Sequence, residues 1–133
     1  MKNTEKILLV EDDRELLQSL RVHLKGSGYK IKFAATGAEA LKIAASAGEL
    51  DLLVTDVLLP DLNGIELAKK LLQRQPNLKV AFMSGYLRPS LADPDEPDVP
   101  PPPFLQKPFS GKTLTVFIRR CLHGEEAPDQ PST

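Results

Sequence analysis

The sequence has no tryptophan, a single cysteine and no long apolar run. Because Cys121 has no second cysteine to pair with, an internal disulfide is excluded and a reducing compartment is expected. No stretch approaches the roughly 18 consecutive apolar residues that a membrane-spanning helix needs, and no apolar signal region follows the first residues. The sequence therefore predicts a cytoplasmic protein that does not contact the membrane directly.

Neither sign of charge predominates in the chain. The 17 basic and 18 acidic residues give a formal net charge of −1, and no run of Lys or Arg is long enough to follow a phosphate backbone. Nucleic acid is therefore not expected as a direct partner. A chain of 133 residues can bury one hydrophobic core of ordinary size. One domain over residues 1–122 is predicted, followed by a flexible polar tail over residues 123–133.

Short apolar runs alternate with segments of helical periodicity, which is typical of βαβ units around a parallel sheet. Five buried strands are predicted, at residues 7–10, 29–34, 52–54, 80–83 and 104–105. Apolar residues at helical spacing predict a helix after the first, second, third and fifth strands. Residues 87–103 interrupt this rhythm, because seven prolines and four acidic residues there make a regular helix improbable. The expected fold class is α/β, with an irregular proline-rich region in place of a fourth helix.

Polar side chains follow four of the five predicted strands. They are Glu11, Asp12 and Asp13 after the first strand, Asp56 after the third, Ser84 after the fourth and Lys107 after the fifth. Because ligands of open parallel sheets bind beyond the carboxyl ends of the strands, we expect these side chains to converge at one edge. The acidic pair of this site could be Glu11 with Asp12 or Asp12 with Asp13. The first is favoured, since Asp13 can then cap the following helix.

Carboxylates this close repel one another unless a cation lies among them. Ligands that are all oxygen favour a hard ion, and Mg²⁺ usually keeps an incomplete protein shell that leaves room for a phosphoryl oxygen. Attack of Asp56 on a phosphoryl donor would give an acyl phosphate, and the charge of the transferring group spreads over three oxygens. Mg²⁺, Lys107 and the Ser84 hydroxyl could each meet one of these oxygens.

These residues resemble the response regulator receiver family of two-component signalling. The motifs are Leu-Val-Glu-Asp-Asp at 9–13, Thr-Asp-Val-Leu-Leu-Pro-Asp-Leu-Asn-Gly at 55–64, Met-Ser-Gly-Tyr at 83–86 and Lys-Pro-Phe at 107–109. Each motif is weak alone, but their order and spacing over residues 6–122 are specific. The resemblance implies a flavodoxin-like, doubly wound sheet with strand order 2-1-3-4-5. It also implies a signalling switch rather than an enzyme.

The resemblance implies a role for each residue of the site. Asp56 is expected to accept a phosphoryl group from a histidine kinase or a histidine phosphotransfer domain. Asp12 would bind Mg²⁺ directly, Glu11 mainly through water, and Leu58 through its backbone carbonyl. Ser84 and Lys107 would hold the phosphoryl group, with the Lys107–Pro108 bond in the cis form.

A switch and an output are implied as well. Phe104 falls where the family carries an aromatic switch, so it should move inward when Ser84 turns toward the phosphate and reshape the face around the family's fourth helix and fifth strand. Homodimer formation on phosphorylation is compatible with the resemblance. The motifs at 83–86 and 104–109 are similar to those of receivers at the C-terminus of hybrid sensor histidine kinases. A free-standing single-domain regulator is the alternative interpretation. Because the apolar Leu58 cannot position an attacking water, a long-lived phosphoaspartate is predicted.

Two other functions compete with a phosphorylated receiver. A phosphatase or phosphotransferase that also forms an aspartyl phosphate would need a general acid near its nucleophile, whereas Val57 and Leu58 follow Asp56. A pseudo-receiver would have the fold without the phosphorylation chemistry. The complete acidic set and Lys107 argue against the pseudo-receiver.

Overall fold

The computed structural model describes residues 5–85 and 101–124 and arranges them as a parallel sheet between two layers of helices. The strands are β1 (Lys6–Val10), β2 (Lys30–Ala34), β3 (Leu52–Asp56), β4 (Lys79–Ser84) and β5 (Phe104–Gln106). The helices are α1 (Arg14–Leu24), α2 (Gly37–Ala47), α3 (Gly64–Arg74) and α4 (Gly111–His123). The strand order is β2-β1-β3-β4-β5 with parallel pairing throughout. This arrangement confirms the predicted flavodoxin-like fold.

Three of the predicted strands, β3, β4 and β5, extend further at their carboxyl ends than expected, and in β3 and β4 the extension includes a residue of the site. Asp56 pairs with Met83 and is the last residue of β3, and Ser84 pairs with Gln106 and is the last residue of β4. Hydrophobicity does not report backbone pairing, so the apolar pattern places the ends of β3 and β4 at their last apolar residues. The backbones of both polar residues therefore belong to the sheet rather than to a loop.

The alternation of side chains along β1 divides the core into two layers. Ile7 and Leu9 pack with α1 and α4, whereas Leu8 and Val10 pack with α2 and α3. All four side chains are fully buried. Successive side chains of a strand point to opposite faces, so a continuous apolar run is the pattern that a strand covered on both sides requires. β1 thus places its carboxyl end between the two layers of helices.

The helices that start at the carboxyl edge of the sheet have polar N-cap residues. The Asp13 carboxylate accepts from the backbone N–H groups of Glu15 and Leu16, as predicted for the cap of α1. Asn63 caps α3, and Ser110 caps α4. Because the start of a helix carries partial positive charge, these helices favour anionic groups at this edge.

Two predicted segments lie partly outside the described residues. Of the irregular proline-rich region at 87–103, the structure describes residues 101–103, and of the tail at 123–133 it describes His123 and Gly124. His123 is the last residue of α4, and Gly124 caps that helix in the left-handed conformation. The domain limits of 1–122 and 123–133 stay predictions. None of the helices within 5–85 and 101–124 is long and apolar enough to cross a membrane.

Candidate functional site

The ends of three neighbouring strands bring the predicted polar side chains together. The backbone N–H of Val57 donates to the Met83 carbonyl over 3.2 Å, and that of Lys107 donates to the Ser84 carbonyl over 2.9 Å. The β3–β4–β5 ladder therefore continues just past the last residues of the strands. It sets Asp56, Ser84 and Lys107 side by side at one edge of the sheet.

Three carboxylates form an acidic pocket at this edge. Glu11, Asp12 and Asp56 each offer an oxygen, and these oxygens lie within 4.8 Å of one another. Glu11 is 0% exposed and Asp56 is also buried, while Asp12 is open to solvent. A set made entirely of oxygen donors, with one exposed side, suits a hard divalent cation that keeps part of its water shell.

Lys107 lies between two of these carboxylates. Its Nζ is 2.7 Å from Glu11 Oε1 and 2.8 Å from Asp56 Oδ2. Burial alone would lower the pKa of Lys107, but hydrogen bonds to Asp56 and Glu11, together with their charges, outweigh burial and raise it. The ammonium therefore stays charged at neutral pH and offsets the repulsion between the two acids.

The charged form of Glu11 is disfavoured by its surroundings. Burial raises its pKa above the ordinary value of 4.5, and the neighbouring Asp56 charge raises it further. Hydrogen bonds from Lys107 and from the Asp13 backbone N–H, the latter 2.9 Å long, act in the opposite direction without cancelling the shift. A cation in the pocket would stabilise the charged form of Glu11, so the electrostatics of the donor set fit a bound metal.

The two ways of pairing the acidic residues differ in what Asp13 does. Its carboxylate accepts two backbone hydrogen bonds at the start of α1. Glu11 and Asp12 instead belong to the cluster with Asp56. The geometry matches the favoured alternative, in which the cap and the pocket use different residues.

The remaining predicted site residues lie around the pocket. Ser84 is buried at the end of β4, and Phe104 is the first residue of β5, partly buried and packed against the α2 and α3 side of the core. Leu58 has a side chain that is 57% exposed, and its backbone pairs with Asn63. The Lys107–Pro108 bond is cis, as expected. Tyr86, the last residue of the motif at 83–86, lies outside the described residues.

Sequence reasoning assigned no individual role to two residues of the motif at 55–64. Gly64 begins α3 directly against the backbone of Asp56, and a Cβ at this position would overlap with the Asp56 carbonyl oxygen. Asp61 accepts hydrogen bonds from the first turn of α2. Both residues stand within the motif at 55–64, but their roles depend on contacts across the fold. The Asn-Gly pair at 63–64 was the available signal for Gly64, because glycine is common where two backbones approach closely.

The structure is that of a doubly wound α/β module with an acidic pocket and a lysine at the carboxyl edge of its sheet. Residues 7–119 match the family model described as the response regulator receiver domain. The chain therefore belongs to the response regulator receiver family. Receiver domains are signalling modules of two-component systems rather than classical enzymes, and as a class they work with histidine kinases.

Relatives from one organism illustrate two settings for such a domain. The chain is 33% identical over 127 residues to the sensor kinase CckA of Brucella abortus. The matched region covers 95% of this chain and 13% of the kinase. It is 32% identical over 118 residues to the response regulator receiver protein CpdR of the same organism. That matched region covers 89% of this chain and 97% of CpdR. The chain thus spans nearly all of one relative and a small part of the other.

Solved structures support the same family. The receiver domain of the hybrid histidine kinase CckA is 34% identical, with a TM-score of 0.72 and coverage of 89% of this chain and 99% of that chain. A CheY-like receiver domain protein from Methanospirillum hungatei is 27% identical, with a TM-score of 0.74 and coverage of 92% and 96%. Both comparisons extend over most of this chain.

Proposed function

We propose that this receiver domain accepts a phosphoryl group on Asp56 in a Mg²⁺-dependent reaction and transmits the change through its β5 face. The observation that carries the proposal is the position of Lys107, whose ammonium touches Glu11 and Asp56 at a pocket that Asp12 completes. A buried nucleophile with a cation and further acids beside it is the arrangement that phosphoryl transfer to a carboxylate needs.

The transfer makes one bond and breaks one bond. An Asp56 carboxylate oxygen attacks the phosphorus atom of a phosphohistidine, and a P–O bond forms while the P–N bond breaks. The electron pair of the P–N bond returns to the imidazole nitrogen of the donor. Because Asp56 is the paired last residue of β3, its carboxylate is held in place before the donor arrives, which lowers the entropic cost of reaching the reactive geometry.

Asp12 and Asp56 would hold Mg²⁺ directly, Glu11 would act through water, and the Leu58 backbone carbonyl would complete the protein ligands. Bound Mg²⁺ supplies positive charge to a phosphoryl oxygen. Lys107 can supply charge to a second oxygen, because its ammonium already lies within hydrogen-bonding distance of Asp56. The Ser84 hydroxyl, at the end of the adjacent strand, would donate to the third.

Ser84 and Phe104 would form the switch. Ser84 is the last residue of β4, and Phe104 is the first residue of the adjacent parallel strand β5, where it pairs with Phe82. When the Ser84 hydroxyl turns toward the phosphoryl group, the Phe104 ring moves inward behind it and changes the surface next to β5.

The donor we propose is a histidine kinase or a histidine phosphotransfer domain, and the likeness to the CckA receiver favours a hybrid-kinase phosphorelay. Phosphorylation-dependent homodimer formation is a further proposed output.

A labelling experiment tests the acceptor and the metal together. The parent protein and Asp56→Asn are incubated with acetyl phosphate, with Mg²⁺ or with excess chelator, and the intact masses are compared. We expect one added phosphoryl group in the parent with Mg²⁺ and none in the other three samples. Label that persists in Asp56→Asn would move the acceptor to another residue. A parent that never gains mass would support a pseudo-receiver instead.

A further inference from the structure

Asp61 ties the loop after β3 to the start of α2. Its Oδ1 accepts from the Gly37 backbone N–H and its Oδ2 from that of Ala38, each over 2.9 Å. These two hydrogen bonds hold the pKa of Asp61 below the ordinary value of 3.8, so the carboxylate is charged at neutral pH. The side chain therefore acts as a double cap of a helix that is 24 residues away in the chain.

A close packing contact accompanies these hydrogen bonds. Leu62 lies directly over Gly37, and a Cβ at position 37 would come within 2.6 Å of Leu62 Cδ2. Gly37 is buried, and Leu62 is packed against the core layer of α2 and α3. Residues 61 and 62 thus fit the first turn of α2 through both polar and apolar contacts.

The same loop carries the backbone of the pocket. The Gly64 N–H donates to the Val57 carbonyl over 2.7 Å, and Leu58 and Asn63 form an antiparallel bridge. The loop over 57–63 is therefore a narrow turn, with Asp56 at its base and Asp61 near its tip. A shift of the tip would be passed to Leu58 through this short ladder.

The start of α2, which Asp61 contacts, is connected through β2 to the Glu11 side of the pocket. The strand before α2 ends at Ala34, whose carbonyl accepts from the Glu11 N–H over 3.0 Å. Asp61 consequently joins the loop that follows Asp56 to the strand end that lies beside Glu11. Because Glu11, Asp12 and Asp56 repel one another, a link of this kind opposes their separation.

We infer that Asp61 is a positioning residue for the metal pocket, holding the loop over 57–63 so that Leu58 and Asp56 face Glu11 and Asp12. The inference rests on the proposed Mg²⁺ site. Mg²⁺ demands a near-ideal octahedral arrangement, so a small displacement of one ligand weakens its binding. Partners that orient metal ligands from outside the first layer typically change metal affinity by about 10–100-fold when they are removed.

The chain offers a matched control on the same helix. Thr36 also caps α2, because its Oγ1 accepts from the Glu39 N–H over 3.0 Å, but it does not belong to the loop over 57–63. Thr36→Ala and Asp61→Ala both remove a cap from α2. Only Asp61→Ala also removes the hydrogen bonds that hold the loop over 57–63. A loss of stability or of Mg²⁺ affinity that both variants share therefore results from the weaker cap of α2.

The experiment is a Mg²⁺ titration of unphosphorylated protein followed by amide NMR shifts, with urea unfolding of each variant measured in parallel. We expect both alanine variants to unfold at lower urea, whereas the Mg²⁺ dissociation constant rises about tenfold in Asp61→Ala and stays at the parent value in Thr36→Ala. Asp61→Asn, which keeps one acceptor oxygen, should fall between the parent and Asp61→Ala.

Equal Mg²⁺ affinity in Asp61→Ala and the parent would overturn the inference and leave the proposed function standing. An equal loss of affinity in Thr36→Ala would overturn it as well, because the effect would then belong to α2 as a whole. A parent that does not bind Mg²⁺ would remove both the inference and the proposed metal site.

Discussion

The ammonium of Lys107 and the carboxylate of Glu11 form a 2.7 Å ion pair beside Asp56. Glu11 is fully buried, so this pair replaces much of the hydration that its charge has lost. The compensation is incomplete, since burial still raises the pKa of Glu11. With three carboxylates and one ammonium, the pocket has an excess of negative charge that an added cation can neutralise.

The first prediction concerns the pH dependence of stability. Because the folded pKa of Glu11 lies above its unfolded value of 4.5, its contribution is fully present below pH 4.5 and is lost as the pH rises through the folded pKa. Glu11→Gln cannot titrate there, so its stability relative to the parent should improve between pH 4 and pH 7. Urea unfolding at the two pH values measures this difference, with the exposed Glu49→Gln as control. A relative stability that declines over this range would contradict the prediction.

The second prediction separates the neighbouring acids Asp12 and Asp13. Mg²⁺ at about 100 times its dissociation constant should stabilise the parent against urea by about 2.7 kcal/mol. Asp12→Asn should lose most of this gain. Asp13→Asn should keep it, because asparagine caps a helix about as well as aspartate and Asp13 lies outside the acidic cluster. The reverse pattern would show that the metal is bound through Asp13.

The third prediction concerns the lifetime of the phosphorylated protein. The Leu58 side chain is exposed near the acceptor and cannot hydrogen-bond an attacking water. We expect a phosphoaspartate that outlasts a period of seconds, and a shorter lifetime in Leu58→Asn. Decay of the phosphorylated mass after removal of acetyl phosphate measures both. Val22→Asn, at an exposed apolar position on α1, is the matched control. Parent decay within seconds would refute the prediction.

The fourth prediction concerns the close approach of α3 to β3. In Gly64→Ala the new methyl group would overlap with the Asp56 carbonyl oxygen, so the helix or the end of the strand must move. We expect a loss of about 1–3 kcal/mol in the free energy of unfolding and slower labelling by acetyl phosphate. Gly85→Ala is the control, because the nearest atom to its Cβ would be Lys107 Cβ at 4.0 Å. Equal behaviour of the two variants would mean that the contact is easily relieved.

Much of the fold followed from local patterns. Runs such as Leu8, Leu9 and Val10 are apolar without interruption because the strand is covered on both faces, and this property is visible in the sequence. The cap residue Asp13 could be predicted because capping depends on neighbours two or three positions away. The carboxyl ends of β3 and β4 were predicted too early, since backbone pairing of a polar residue has no hydrophobic signal.

Strand periodicity and the order of the motifs along the chain are enough to indicate the receiver family and the kinds of side chain at the site. Folding is needed to select which acid near β1 enters the pocket, to place Lys107 between Glu11 and Asp56, and to bring Asp61 to Gly37. Lys107 and Asp56 are 51 positions apart in the chain, and Lys107 and Glu11 are further apart still. These contacts depend on strand register and helix packing, which arise only when distant segments meet.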